Sequence, residues 1–197
     1  IEEIGVEGVS CIGLTNQRES TVAWSKSSGM PLYPVISWMD LRTSEIVKRN
    51  EFHDDYVKEC TGLKISTYFS LPKMIWMLEN VERVKEAAEK DDLCFGTVDT
   101  WLLTKLTGLF VTDPTNASRM MLMDLEKKVW DDRLLRTFKI SRHWLPEIRT
   151  KDYGFINKIP VKAVMGDQHS SFYAHSAPFK CTYGTGTFLF TDTGKDI

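Results

Sequence analysis

Residues 9–20 read VSCIGLTNQRES, an apolar run that ends in a cluster of polar side chains. The run from Val9 to Leu14 predicts a buried β-strand. An amide pair follows it, and then the ion pair Arg18–Glu19. A solvated turn is one interpretation of this polar end. The other is a ligand site where a buried strand opens into a cleft.

The position of the ion pair relative to the strand decides between these two interpretations. A surface pair of Arg18 and Glu19 contributes little to stability. Neighbouring strand residues point to opposite faces, so both side chains can face one ligand only if the strand has already ended. A guanidinium donates hydrogen bonds and a carboxylate accepts them, which suits a polyol.

Composition limits the class of protein. The 197 residues are 42% hydrophobic and 26% charged, as in soluble globular domains. The net charge of -2, from 25 basic and 27 acidic residues, gives no case for a nucleic-acid partner or an anionic membrane. No apolar run approaches the ~20 residues that span a bilayer.

Cysteine and histidine patterns favour a reducing compartment and no bound transition metal. The four cysteines are scattered and form no C-x-x-C pair, which predicts reduced thiols and a cytoplasmic location. The histidines show no zinc-ligand spacing, so we assign no metal ligand in this chain.

Strand-like and helix-like segments alternate along the chain, which predicts an α/β architecture. The predicted strands are 9–14, 19–24, 35–38, 93–95, 111–112, 120–125, 161–165, 181–183 and 187–191. One helix is predicted to begin after Asp40. The other predicted helices cover 54–60, 71–90, 99–106, 130–138 and a segment after 168. The polar stretch 149–158 predicts a domain boundary, with domains at 1–158 and 159–197. We also expect a chain cut at both ends, because it begins at Ile1 and stops just after a predicted hairpin.

Gly166-Asp167-Gln168 follows the apolar strand 161–165. Ligands of α/β sheets collect at the carboxyl ends of strands, so Asp167 is well placed for chemistry. A carboxylate there can accept the proton of a substrate hydroxyl during phosphoryl transfer. The alternative is that Asp167 caps the next helix, and the two roles are compatible.

Two further features bear on ligand binding. Residues 183–188, YGTGTF, form a Gly-Thr-Gly turn whose backbone can approach phosphate oxygens, although such turns usually only connect strands and this one lacks the P-loop lysine. Trp38 and Tyr68 are aromatic residues beside polar ones. Such residues are usually core, but they also line the carbon skeleton of small polar substrates.

Together these segments resemble the FGGY carbohydrate kinases over nearly the whole chain. The resemblance rests on collinear motifs, which are IGLTNQRESTVAW, WMDLRT, TGLKISTYFSLPKMIWMLENV, FGTVDTWLLTKLTG, TDPTNASRMMLMDL, LPEI, GDQ and TYGTGTFL. It implies a ribonuclease-H-like (actin-like ATPase) fold, with most of the N-terminal domain and the start of the C-terminal domain present. In the family, ATP and the acceptor lie in the cleft between the two domains.

The same resemblance implies residue roles. NQRE is similar to the element of family members that phosphorylate glycerol, which argues against another polyol. The implied glycerol ligands are Arg18, Glu19, Trp38, Tyr68, Asp167, Gln168 and Phe188. Asp167 is implied as the general base, and Gly184 and Thr185 as contacts of the transferred phosphate. The implied reaction uses ATP with Mg2+ and yields sn-glycerol 3-phosphate. The resemblance also leads us to expect a homo-oligomer.

The chain departs from the family pattern in several places. The first strand-turn-strand, which carries the acidic metal ligand, is expected before Ile1, and most of the second domain after Ile197. The segments 148–167 and 168–183 are shorter than usual, and HSSFY at 169–173 replaces small residues. We therefore expect the isolated chain to be weakly active or inactive. An alternative is a catalytically incomplete glycerol-binding or assembly module.

Overall fold

The computed structural model describes residues 8–194, which form short strands and helices in alternation. The strands are β1 Ile12–Asn16, β2 Val22–Ser25, β3 Leu93–Gly96, β4 Val111–Thr112, β5 Met123–Asp124, β6 Val129–Trp130, β7 Glu147–Ile148, β8 Phe155–Ile156, β9 Ile159–Gly166, β10 Phe179–Tyr183 and β11 Thr187–Thr191. The helices are α1 Ser44–Asn50, α2 Asp54–Thr61, α3 Ser70–Asn80, α4 Glu82–Glu89, α5 Val98–Thr107, α6 Pro114–Ala117, α7 Asp132–Thr137 and α8 Asp167–His175. The predicted α/β class is confirmed.

The sheet that matters for the site has the order β1-β9-β8. Strands β1 and β9 are parallel, and Asn16 lies opposite Gly166 at their carboxyl ends. Strands β2 and β3 pair antiparallel beside a large apolar core that includes the inner faces of α3 and α4. The predicted boundary at 158 lies in the turn between β8 and β9, and the division into two domains stays a prediction.

Several predicted elements differ from the structure. The strand predicted at 35–38 is only an isolated bridge between Ile36 and Thr21. The strand predicted at 9–14 begins at Ile12, because Val9 is 44% exposed and lies outside the pairing with β9. The strand predicted at 120–125 is a 3-10 turn followed by Met121 at a left-handed φ of 62°, and only then the short β5. An apolar run of this length fits a buried turn as well as a strand, since burial does not distinguish them.

The helix predicted at 71–90 is two helices. Val81 is extended at φ -117°, which ends α3 and starts α4 at a new angle. Val84 and Ala87 of α4 are buried in the core, so the second helix has one buried face rather than full exposure. Within residues 8–194, no helix combines the length and apolar character needed to cross a bilayer.

A buried carboxyl ties α5 to β4. Asp99 is fully buried and accepts hydrogen bonds from Thr97 Oγ1 at 2.5 Å and Thr112 Oγ1 at 2.6 Å. Burial outweighs these hydrogen bonds and raises the pKa of Asp99 to about 6. The folded state therefore binds the Asp99 proton more tightly than the unfolded chain does, whose pKa is about 3.9.

This pKa shift predicts a pH dependence of stability. Between about pH 4 and pH 6 the unfolded Asp99 ionises first, so its contribution to the free energy of unfolding falls as the pH rises. In the wild type this contribution lowers the free energy of unfolding by about 2 kcal/mol over that pH range, and Asp99→Asn should abolish the decrease. Urea unfolding at a series of pH values measures it, with the exposed Asp152→Asn as the control. Parallel pH profiles for Asp99→Asn and the wild type would contradict the assignment.

Candidate active site

The parallel pairing of β1 and β9 brings two distant polar segments to one sheet edge. Asn16 and Gly166 end the two strands side by side, so the segment after β1 lies next to the start of α8. The side-chain amides of Asn16 and Asn116 exchange hydrogen bonds at 3.0 and 3.2 Å. Thr115 Oγ1 accepts a hydrogen bond from Gly166 N at 2.8 Å. Helix α6 therefore fixes both strand ends.

The ion pair lies in a tight turn directly after β1. Ser20 N donates to Arg18 O at 2.6 Å, and Glu19 between them has a φ of 60°. Such a left-handed conformation is strained for glutamate and concentrates at functional sites. The hydroxyls of Thr21 and Ser70 hold it by donating to Glu19 O at 2.9 and 3.0 Å. This turn also explains why the strand predicted from residue 19 begins only at Val22.

Neither charged side chain is solvated. Arg18 is 3% exposed and Glu19 is 1% exposed, so the interpretation as a solvated turn is wrong. Arg18 Nε lies 3.9 Å from Glu19 Oε1 and 3.8 Å from Asp167 Oδ1. Within residues 8–194 this buried Nε has no hydrogen-bond partner. Burial lowers the pKa of Arg18, while the charge of Glu19 acts in the opposite direction.

Gly166 makes room for the Arg18 side chain. A methyl group added at Gly166 would lie 2.6 Å from Arg18 Cγ and closer still to Cδ, well inside van der Waals contact. The guanidinium beyond this stem lies over the Phe190 ring, with Cζ 5.4 Å from its centroid. The Arg18 stem is thus confined between the end of β9 and a ring on β11.

Gly166→Ala should therefore displace Arg18 and destabilise the fold by about 1–3 kcal/mol, the usual cost of overpacking. Gly13→Ala is the matched control, because Gly13 lies on β1 and has open space where its Cβ would be. Urea denaturation of both variants measures the difference. A stability loss no larger at Gly166 than at Gly13 would contradict the packing of Arg18 on Gly166.

Arg119 is a site residue that the sequence did not single out. Its Nε donates to Glu19 Oε1 at 2.7 Å, across 100 positions of sequence. Its guanidinium lies over the Phe69 ring, 4.8 Å from the centroid. The available signal was a lone arginine at the start of the apolar run 120–123. Arg119 holds the Glu19 carboxylate in place and leaves the second carboxylate oxygen for another donor.

Aromatic side chains form the opposite wall of the site. The Trp38 ring meets Tyr68 at 5.7 Å and Phe188 at 6.2 Å between centroids, both nearly edge-on. Burial, and after it the Glu19 charge, raises the pKa of Tyr68 to about 12, so its hydroxyl is a donor at neutral pH. Trp38 lies in a loop, Tyr68 just before α3 and Phe188 on the β10–β11 hairpin. The three rings surround one space.

Asp167 and Gln168 begin helix α8. The N-cap is Gly166, so Asp167 is the first helical residue and not the N-cap, and its side chain, 47% exposed, lies beside Arg18. Its Oδ1 accepts from Gln168 N at 2.8 Å. The positive end of the helix dipole favours a carboxylate at this position. Gln168 Oε1 accepts from Thr182 Oγ1 at 3.1 Å, which fixes the amide against β10.

These residues enclose a cavity of about 120 Å³. Its lining consists of Gln17, Arg18, Glu19, Trp38, Tyr68, Asp167, Gln168 and Phe188. All seven residues expected to bind the acceptor therefore meet at one place. Gly184 and Thr185 do not line this cavity. They lie on the exposed turn of the β10–β11 hairpin, where Gly184 N donates to Gly186 O at 3.1 Å.

Comparison with known proteins assigns the class. Residues 2–172 match the N-terminal domain of the FGGY family of carbohydrate kinases. The chain therefore belongs to the FGGY carbohydrate kinases, and the expected fold is confirmed.

Several similar proteins within the family carry the name glycerol kinase. The glycerol kinase of Aquifex aeolicus is 41% identical over 209 residues, covering 99% of this chain and 42% of that protein. The glycerol kinase of Haemophilus influenzae is 44% identical over 204 residues, covering 95% of this chain and 41% of that protein. The structure of Plasmodium falciparum glycerol kinase with ADP matches with a TM-score of 0.90 at 35% identity, covering 95% of this chain and 40% of that one. The chain thus spans about two fifths of the length of these relatives.

Proposed function

We propose that the protein to which this chain belongs transfers the γ-phosphoryl group of ATP to glycerol. The observation that carries the proposal is the 120 Å³ cavity, which combines a buried guanidinium, a buried carboxylate and an aromatic wall. Drug-sized ligands take pockets of about 300–1,000 Å³, so this cavity suits an acceptor of very few atoms. The names of the relatives and the ADP in the Plasmodium structure support the same donor and acceptor.

Different residues of the cavity hold different parts of glycerol, which is a triol. Arg18 Nε is a buried donor without a hydrogen-bond partner among the described residues 8–194, and a glycerol hydroxyl would supply one. Glu19 accepts from a second hydroxyl through the oxygen that Arg119 leaves free. The Trp38 and Phe188 rings pack against the carbon skeleton and exclude water from it.

Asp167 acts as the general base. Its carboxylate accepts the proton of the terminal hydroxyl while that oxygen bonds to the γ-phosphorus and ADP leaves with the broken bond's electrons. Arg18 Nε lies 3.8 Å from Asp167 Oδ1, which places a cation beside the carboxylate that takes the proton. Gln168, fixed by Thr182, orients the hydroxyl beside Asp167.

The donor is the magnesium complex of ATP, whose metal ion enters with the substrate. Gly184 and Thr185 lie on a hairpin turn whose backbone can approach the transferred phosphate. A homo-oligomer and a cytoplasmic location stay predictions.

The test is a coupled ADP-release assay on the complete protein, with glycerol, D-xylulose and gluconate as competing acceptors. We expect turnover with glycerol and at most trace turnover with the two larger acceptors, which exceed the cavity. Preference for either larger acceptor would assign a different substrate. Glycerol binding without ADP release from the complete protein would favour the non-catalytic binding module instead.

A further inference from the structure

Helix α8 carries an unusual residue directly behind the catalytic carboxylate. His169 follows Asp167 and Gln168 and packs its ring edge-on against Phe190, 5.0 Å between centroids. Phe172, one turn later, lies 6.2 Å from the same ring. His169 and Phe172 therefore pack α8 onto β11 through the Phe190 ring.

His169 also contacts the guanidinium of Arg18. Among the side chains of residues 8–194, His169 Nδ1 is the acceptor that Arg18 meets within hydrogen-bond reach, with Nη1 at 3.4 Å. The carboxylates of Glu19 and Asp167 lie farther from Arg18, at 3.9 and 3.8 Å from Nε. The imidazole therefore adds a hydrogen-bond acceptor at Nη1 to the two anions that lie near Nε.

The chemistry of the contact fixes the state of the imidazole. Arginine has donors and no acceptor, so Nδ1 must present a lone pair and the ring proton must sit on Nε2. Burial, followed by the charges of Arg18 and Arg119, lowers the pKa of His169 to about 4. A neutral ring is therefore the state present at neutral pH.

We propose that His169 is a positioning residue, which accepts a hydrogen bond from Arg18 and aims its Nε into the acceptor cavity. Three contacts then set the guanidinium, namely Gly166 under the stem, Phe190 across its face and His169 at Nη1. Nε is left as a buried donor without a partner, ready for a ligand oxygen. The inference rests on the proposed function, since it names how the glycerol site is held.

The test compares His169→Asn with His169→Leu. The two replacement side chains have nearly the same shape, and only asparagine offers an acceptor oxygen, which sits on Cγ where Nδ1 sits in histidine. We expect the glycerol dissociation constant, measured by calorimetry, to rise about tenfold or more in His169→Leu, since hydrogen bonds involving charge are worth that much. His169→Asn should stay within about threefold of the wild type. His175→Leu, at the exposed end of the same helix, is the control and should bind as the wild type does.

Equal affinities of the Asn and Leu variants would overturn the proposal, because packing alone would then explain the site. A long-range 1H–15N spectrum of the wild-type chain gives a readout independent of how the variants fold. It should show the proton of His169 on Nε2 at neutral pH, and a proton on Nδ1 would overturn the proposal. Absence of glycerol binding to the wild type would instead contradict the proposed function, so the two failures are distinguishable.

Discussion

Asp167→Asn should lower kcat for glycerol phosphorylation by about 10²–10⁴-fold, the range for loss of a general base. Asparagine keeps the size of the side chain and still accepts a hydrogen bond, but it cannot take the proton of the attacking hydroxyl. The carboxylate is half exposed and is not part of the core, so the fold should persist. Steady-state kinetics with glycerol and ATP measures the loss, with KM for glycerol changing far less than kcat.

The matched control is Asp55→Asn, an exposed acidic residue in the first turn of α2. It makes the same chemical change at the start of a helix that lines no part of the acceptor cavity. Its kcat should equal that of the wild type. If Asp167→Asn also kept a near-normal kcat, Asp167 would not be the base.

Arg18→Met should raise the glycerol dissociation constant by about 10–100-fold, because a buried charged donor to the ligand is lost. Methionine retains an unbranched stem over Gly166, so the change removes the guanidinium without opening a large cavity. Glu19 keeps its hydrogen bond from Arg119 in this variant, so the carboxylate should stay in place. Isothermal titration calorimetry measures the affinity.

Arg136→Met serves as the control, since Arg136 is exposed on α7 and lines no part of the acceptor cavity. It should leave glycerol affinity unchanged. An affinity for Arg18→Met within twofold of the wild type would mean that Arg18 does not bind the ligand.

The fold followed from the sequence where periodicity and turn residues agree. Strand β9 and the GDQ segment after it were predicted because an apolar run ends at a glycine. The run 120–125 was not, because its four consecutive apolar residues are all buried in a turn that gives no periodic signal. The break at Val81 was missed because one extended residue leaves the apolar spacing nearly intact.

The site was predicted unevenly, for a physical reason. Arg18, Glu19 and Asp167 stand at strand ends, so the local pattern already offered a ligand site there, beside the alternatives of a solvated turn and a helix cap. Trp38, Tyr68 and Phe188 look like core residues in the sequence, and only family resemblance placed them at the ligand. The partners Arg119 and His169 come from positions 100 and 151 residues away from the groups they hold, and no local pattern reports such a contact.

The most direct test of the account is a titration of 15N-labelled chain with glycerol, followed by amide and side-chain NMR signals. We expect saturable chemical-shift changes centred on Arg18 Nε, the Trp38 indole and the amides of Asp167 and Gln168. Those shifts should be strongly weakened in Arg18→Met and retained in Arg136→Met. No saturable shift, or shifts centred instead on the separate apolar groove between Tyr33 and Trp101, would contradict the assignment of this cavity as the glycerol site.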